Sequence, residues 1–334
     1  MQLSFKETQA HSKSLLEGIL NIANGRAIDG IAYEVSRELN ARGGTENRAN
    51  AIRIPLSRAL ATNVFSAAGS LVETHLGEVD PMLRSASVIL AAGGRMISGL
   101  TSNLAIPRQT GFETISFLHE SDTLVATDSS FGELNLTPHR MSGATSLSRQ
   151  LATQSNAAEF LTASLNLGIA AAIDRGALVG NGAAGDVLGL HSNPSVTTKT
   201  FGGAATWASV LDIQNSVATA NGNESTTAWI AHPAVRAKWA SIQRFSGSGK
   251  TLWATDNTIA GRPAFTTTAA PTTGILLADF SHQIVAFWGD SIEVIVDPFS
   301  AALSGRISLV INALADTGTL RPTTAVRNLD SAVQ

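Results

Sequence analysis

The sequence contains no cysteine, a single tyrosine and few charged residues, which make up 15% of its 334 residues. Without cysteine, disulfide bonds, thiol nucleophiles and cysteine-ligated metal sites are all excluded. Hydrophobic residues nevertheless account for 44% of the chain. A chain of this size and composition can bury a core large enough for two globular domains, or for one large domain with extensions.

Long apolar runs are also absent. The stretch over residues 161–173 ends at Asp174, and it is shorter than the roughly 20 residues that a transmembrane helix needs. The first residues, MQLSFKETQAHSK, lack the basic-then-apolar order of a secretory signal peptide. We therefore expect a protein that is made in the cytoplasm and has no membrane partner.

Catalytic patterns are missing as well. There is no G-x-S-x-G nucleophile motif, and Gly247–Lys250 is not a phosphate loop because Arg244 occupies the position of its first glycine. The seven histidines lack the spacing of a zinc site. We interpret His232 as the end of a strand, and Asp174 with Arg175 as a helix cap that bridges to a neighbouring molecule. We predict no catalytic residue, no metal and no cofactor.

Hydrophobic periodicity indicates a mixed α and β chain without an internal repeat. Two short amphipathic helices precede an extended strap, and their narrow apolar stripes need another surface to pack against. A polar β-ribbon follows that has too little apolar surface to support itself. The predicted helices are 11–24, 27–41, 156–178, 207–220 and 234–244, with Thr206 as the cap of the fourth, and residues 70–90 are expected to form a short helix and then a strand. The predicted strands are 52–55, 103–107, 113–119, 133–137, 141–148, 227–231, 274–278, 283–287, 292–296 and 307–311. The last of these is expected to continue as a long strand, which Gly318 turns back through 320–326.

Several short motifs follow one another along the chain: RAL at 58–60 with AAGSLV at 67–72, LAIPR at 104–108, FGELNLTP at 131–138, IDR at 173–175 with GNG at 180–182, LGL at 188–190, AWIAHP at 228–233 and LADFS at 277–281. Each motif alone is weakly specific, but the whole series in this order is strongly specific. The order is that of the major capsid proteins of tailed bacteriophages, and the chain resembles this family over residues 58–330.

The resemblance implies an α+β fold of the Hong Kong 97 type. Residues 1–72 would form an N-terminal arm of two short helices plus an extended strap, and residues 100–148 would form an extended β-ribbon loop. A peripheral domain with a long spine helix at 156–178 would comprise residues 73–99, 149–189 and 300–330. Residues 190–299 would form an axial α/β domain.

The same resemblance implies a major capsid protein that self-assembles into the icosahedral head shell around double-stranded DNA. Its partners would be other copies of itself, as pentamers and hexamers, and also scaffold, portal, maturation protease and cement proteins. We expect it in the virion, after assembly in the cytoplasm of the bacterial host. The alternative is an encapsulin, a compartment shell of the same fold that encloses enzymes; the helical arm and the phage-like motifs favour the capsid protein.

Two groups of residues are candidates for contacts in a shell. Since residues 100–150 contain no lysine, we predict no covalent lysine crosslink from the ribbon. The candidates for inter-subunit contacts are Arg108, Glu113, Glu120, Glu133, Arg140, Asp174 and Arg175, with Asp316 and Arg321 at the expected turn around Gly318. Arginines of the arm are the candidates for contacts with DNA phosphates on the inner wall, with ion pairs within the arm as an equally open alternative: Arg26, Arg37, Arg42 and Arg48.

Overall fold

The computed structural model describes five α-helices, three short 3₁₀ helices and thirteen strands within residues 17–24, 36–37, 51–55, 87–111, 130–152, 157–183 and 185–329, besides helical residues at 17–23 and 36–37. Within these ranges no helix is both long and apolar enough to span a bilayer. In chain order the elements are β1 (Ala51–Pro55), α1 (Val88–Ala91), β2 (Arg95–Leu100), β3 (Leu104–Gly111), β4 (Ser130–Leu136), β5 (His139–Ser148), α2 (Arg149–Ala152), α3 (Ala157–Val179), β6 (Thr197–Thr198), α4 (Trp207–Thr219), β7 (Thr227–Ala231), α5 (Pro233–Ser241), β8 (Thr258–Ile259), β9 (Arg262–Thr266), β10 (Ile275–Asp279), β11 (Gln283–Asp297), β12 (Arg306–Thr319) and β13 (Ala325–Asn328).

The first sheet is built on the long antiparallel pair β11 and β12, and its order is β1-β11-β12-β5. Strand β2 lies parallel to the first part of β11, whereas β1 pairs antiparallel with the second part. The prediction of two separate strands at 283–287 and 292–296 is wrong, because β11 is continuous. Its pairing shifts between Trp288 and Glu293, and Gly289, at φ +83°, lies within this bulge, which bends the strand without ending it.

The second sheet has the order β6-β13-β10-β7-β9-β8. Strand β7 has the predicted limits, and all five of its residues are buried, as expected for a strand covered on both faces. Helix α4 begins after Thr206, whose side chain accepts a hydrogen bond from the Ser209 amide, so the predicted cap is confirmed. Trp229 and Trp239 meet edge to face with ring centroids 6.2 Å apart in the core between this sheet and its helices.

The pairing of strands crosses the domain limits expected from the sequence. Strand β5 falls in the expected ribbon loop and β11 in the expected axial domain, but both pair with β12 in the first sheet. Strand β13 falls in the expected peripheral domain, yet it pairs with β10 in the second sheet. The chain therefore passes between the two sheets twice near its C-terminal end.

Helix α3 confirms the long helix expected at 156–178. Its inner face, with Ile169, Ile173 and Leu178, packs in the largest core cluster. Residues of both sheets, such as Ile230 and Phe287, belong to the same cluster, so a shared core joins the two sheets.

The N-terminal arm contacts the first sheet where it is described. Ile19 and Ile22, in the helical segment, are buried together with Ile52 of β1, Leu165 of α3 and Val294 of β11. The expectation that this helix needs another surface is confirmed at these residues. The remainder of the two predicted arm helices and the predicted strand at 113–119 lie outside the described residues.

Asp174 is an internal anchor, and the prediction that it bridges to a neighbouring molecule is wrong. It lies in α3 with 1% of its surface exposed. Its carboxylate accepts hydrogen bonds from the Ser87 hydroxyl at 2.8 Å and from the amides of Val88 and Ile89 at 2.8 and 3.2 Å. It therefore satisfies the amides at the start of α1 and joins α1 to α3. Burial raises the pKa of Asp174, and these three hydrogen bonds oppose that effect.

His191 is a second buried polar residue, just beyond α3. Its amide donates to the Leu178 carbonyl at 2.8 Å, and its own carbonyl accepts from the Arg327 guanidinium of β13. Neither ring nitrogen has a hydrogen-bond partner in the described part of the chain. Burial, together with the positive charge of Arg327, lowers the pKa of His191 to about 4, so the ring stays neutral at pH 7.

The replacement Asp174→Ala should lower the free energy of unfolding by about 2–4 kcal/mol, because three buried donors lose their acceptor. Asp174→Asn keeps one acceptor oxygen and should cost about half as much. Arg175→Ala, at the exposed neighbouring position, is the control and should cost less than about 0.5 kcal/mol. Urea titration of the three variants measures these differences; equal losses in Asp174→Ala and Arg175→Ala would contradict the anchoring role.

The free energy of unfolding should also depend on the protonation of His191. The unfolded chain binds a proton at the ordinary pKa of 6.5, whereas the folded protein does so only at about 4. Stability is therefore lost as the pH falls from 6.5 towards 4, by up to about 3 kcal/mol. His191→Leu removes this contribution, and the difference from wild type should shift by that amount between about pH 7 and pH 4. Parallel pH profiles for the two proteins would refute the assignment.

Candidate assembly surfaces

Strands β3 and β4 form a two-stranded ribbon with one apolar face. Leu104 pairs with Leu136 and Ile106 with Leu134, and the ladder continues to Gly111 opposite Ser130. Alternation places these four aliphatic side chains on one face, where they contact a cluster that includes Ile284 of β11. We call the Leu104–Leu136 end of the ribbon its root.

The root lies directly on β12 because that strand has a glycine there. A Cβ atom on Gly318 would lie 2.8 Å from Leu136 Cδ2 and 3.0 Å from Leu134 Cδ1. The prediction of a turn at Gly318 is therefore wrong. The strand runs on to Thr319, and the chain turns only afterwards, through the short 3₁₀ helix Pro322–Thr324.

Three hydrogen bonds fix the root in addition to its apolar contacts. The Thr137 amide donates to Asp316 Oδ2 at 2.9 Å, the Arg108 guanidinium to the Leu320 carbonyl at 3.2 Å, and the Trp288 indole to the Ser102 carbonyl at 2.7 Å. Burial raises the pKa of Asp316, although the Thr137 and Thr317 amides donate to its carboxylate. Asp316 thus lies buried within β12 and not at an exposed turn, and Arg108 already has a partner in its own chain.

Beyond the root, the ribbon presents mainly exposed side chains. Phe131 on β4 is 72% exposed, and Glu133 is exposed with a hydrogen bond from Asn135 at 2.9 Å. Strand β5 is similar, since residues 142–146 are all exposed. Its Arg140 donates to the Asn312 side chain at 2.9 Å. These side chains therefore remain exposed in the single chain, although β5 itself is paired with β12.

The other predicted contact residues are scattered. Arg175 is exposed on α3, and Arg321 donates to the Ala220 carbonyl at 3.4 Å. Arg37 is exposed. The structure thus brings Arg108 and Asp316 together at the root and leaves the others apart. The remaining predicted residues lie outside the described ranges: Glu113, Glu120, Arg26, Arg42 and Arg48.

Patterns that could suggest catalysis have structural explanations. His232 accepts a hydrogen bond from the Ala234 amide at 3.1 Å and so begins α5, while Gly247–Lys250 is an exposed loop. Helix α5 ends at Ser241, before the predicted residue 244, because Ile242 is extended and its carbonyl accepts from the Leu252 amide. Among the described residues no cluster of three or more acidic or histidine side chains could hold a metal ion.

The connection between β11 and β12 is a surface that sequence reasoning missed. It carries Phe299, 80% exposed, and the fully exposed Leu303. Residues 298–305, PFSAALSG, contain no charged side chain, and this absence is the signal that could have identified an apolar tip.

Replacing Gly318 with valine should displace the root and lower the free energy of unfolding by about 2 kcal/mol, because the ends of Leu134 and Leu136 must move. Gly143→Val on β5 is the matched control: nothing lies within 4 Å of a Cβ atom there, so its cost should stay below about 0.5 kcal/mol. Chemical denaturation of both variants tests this, and similar costs for the two would show that the root does not depend on Gly318.

Comparison with known proteins gives a family match for most of the chain. The profile of the phage capsid family matches residues 69–327. The major capsid protein of Halomonas phage phiHAP-1 is 26% identical over 318 residues, which cover 92% of this chain and 52% of that protein. The chain therefore spans about half the length of this curated relative.

Solved structures resemble the fold. The superposition on a chain from the capsid of the native GTA particle covers 80% of this chain and 98% of the GTA chain, with a TM-score of 0.60 and 14% sequence identity. The superposition on a chain from Mycobacterium phage Bobi covers 79% of this chain and 96% of the phage chain, with a TM-score of 0.58 and 15% sequence identity. Both have the mixed α and β fold described above. The family profile matches residues 69–327, which make up most of the chain, so the resemblance noted from the sequence motifs is confirmed. The chain belongs to the phage capsid family.

Proposed function

We propose that this chain is a major capsid protein, many copies of which assemble into the icosahedral head shell that encloses the double-stranded DNA of a tailed phage. Membership of the phage capsid family, a family of structural proteins and not of enzymes, supports this function. The observation that carries it is the ribbon, which is fixed at its root and exposed beyond it. A two-stranded ribbon is at best marginally stable in water, so neighbouring subunits are the natural surface for it.

The proposed fold is of the Hong Kong 97 type. Helix α3 would be the spine of the peripheral domain, together with the first sheet. The second sheet with α4 and α5 would be the axial domain, and its limits are best drawn by strand pairing, with β13 included and β11 excluded. Residues 1–72 would be the arm, and β3 with β4 the extended loop.

Contacts between subunits are proposed for Glu133, Arg140 and Arg175, which are exposed in the structure. They are also proposed for Glu113 and Glu120, which lie outside the described residues. Arg108, Asp174, Asp316 and Arg321 have bonds within the chain and are better explained as internal. Contacts with DNA phosphates are proposed for the arm: Arg26, Arg37, Arg42 and Arg48.

The proposed partners follow from the shell. Copies of the chain would form pentamers and hexamers, with scaffold, portal, maturation protease and cement proteins as further components. The protein would reside in the virion after assembly in the host cytoplasm. Packaged DNA would be bound without sequence preference, since phosphate contacts carry no base information.

Electron microscopy and sedimentation velocity of the purified protein test the function. We expect closed shells tens of nanometres across, on the scale that repeated subunit contacts around closed symmetry produce. A monomer or dimer at high concentration, unchanged by co-expression with a scaffold or a protease, would contradict the proposal. Shells that enclose a host enzyme instead of DNA would support the encapsulin alternative.

A further inference from the structure

The second sheet and its helices carry cations without carboxylate partners. Residues 190–279 contain four carboxylates, and all four are engaged within the chain. Asp212 pairs with Lys199 at 2.9 Å and Glu224 with Arg262 at 2.6 Å. Asp256 accepts from the Thr258 hydroxyl at 2.8 Å, and Asp279 is buried. Four of the six Lys and Arg side chains are left with no ion pair in the part of the chain that the structure describes: Arg236, Lys238, Arg244 and Lys250.

These four cations lie on α5 and on the hairpin that follows it. The hairpin is closed by the pairing of Gln243 with Thr251 and by a hydrogen bond from the Arg244 amide to the Lys250 carbonyl at 2.8 Å. Its far end is folded back on the helix, since the Trp253 amide donates to the Trp239 carbonyl. We call the surface formed by residues 233–255 the basic face; it contains four Lys/Arg and no Asp/Glu.

Two arginines of the basic face are held in place by tryptophans. The Arg244 guanidinium lies 4.3 Å from the centroid of Trp207, and that of Arg236 lies 6.0 Å from the centroid of Trp253. Cation–π contacts of this kind orient a guanidinium without neutralising it. Phe245, in the same hairpin, is 63% exposed. The basic face thus offers fixed positive charge next to an exposed aromatic ring.

One segment of the same chain has the opposite character. Residues 112–129, FETISFLHESDTLVATDS, contain four carboxylates and no lysine or arginine, together with Phe112, Ile115 and Phe117. This segment joins β3 to β4 at the end of the ribbon opposite the root, beyond the pair of Gly111 with Ser130. That end lies roughly 25 Å from the root, at about 3.3 Å per residue.

We propose that the basic face of one copy binds the acidic segment 112–129 of a second copy. This contact rests on the proposed function and names the surface that receives the end of the ribbon. Its charges are complementary, four against four, and the exposed Phe245 matches the apolar residues of the segment. DNA is the less suitable partner, because a duplex bound through its phosphates provides no apolar surface for Phe245.

Charge reversal tests the contact. The face variant carries Arg236→Glu, Lys238→Glu and Lys250→Glu, and leaves Arg244 because it donates to the Thr251 carbonyl. The segment variant carries Glu113→Lys, Glu120→Lys and Asp122→Lys. Each variant alone opposes like charges at every copy of the contact, so we expect the amount of protein in shells to fall by about tenfold or more. Co-expression of the two variants should restore shells that contain both, and unfolding midpoints should match wild type.

The outcomes separate this contact from the proposed function. A wild-type chain that forms no shells refutes the function, and the contact with it. If wild type assembles and either variant assembles equally well, only the contact is refuted. A third result is that shell formation is restored when both sets of changes are combined in one chain but not when the two variants are mixed. That result would place the contact within a single chain and overturn the proposal. Normal shells of the face variant that no longer retain short double-stranded DNA would assign the basic face to nucleic acid instead.

Discussion

The antiparallel pairing of β11 with β12 is the interaction on which the rest of the structure depends. The ladder runs from Gln283 opposite Thr319 to Asp297 opposite Ser308, and the other strands of the first sheet and the ribbon attach to it. Strands β1 and β2 extend one edge and β5 the other, while the ribbon root lies on its Gly318 end. Because the two strands are far apart in sequence from β1, β2 and β5, the first sheet forms only when the chain closes long loops around this pair.

Some large apolar side chains of the molecule are buried in its own core, and others are exposed to solvent. Its own core takes Ile173, Phe287 and Trp229 to complete or nearly complete burial, whereas Phe131, Phe299 and Leu303 remain exposed. Exposed aromatic and aliphatic side chains on extensions, and not in a cleft, fit a protein that completes itself against other molecules. The charges show a similar division, since Asp212 and Glu224 pair with cations of their own chain, whereas the cations of the basic face have no carboxylate partner among the described residues.

The parts predictable from the sequence are those set by local patterns. Helix α3, strand β7 and the Thr206 cap follow from hydrophobic periodicity and capping chemistry, and the motif order pointed to the correct family. Two residues were misjudged because their partners are remote. Asp174 meets Ser87 at a separation of 87 residues, and Gly318 looked like a turn because no local pattern reveals that Leu134 and Leu136 fill the space above it. Where the ribbon docks is a tertiary fact that periodicity does not encode.

The narrowness of the ribbon root has a mechanical consequence. Four aliphatic side chains and a few hydrogen bonds hold the ribbon at its root, and its Gly111 end lies roughly 25 Å away, at about 3.3 Å per strand residue. A rotation of about 10° at Gly318 would carry the Gly111 end through about 4 Å, given roughly 3.3 Å per strand residue. A small change in the angle between the ribbon and β12 at Gly318 therefore changes where a neighbouring subunit can be placed. The stiffness of this contact limits how strongly a surface built from such subunits can curve.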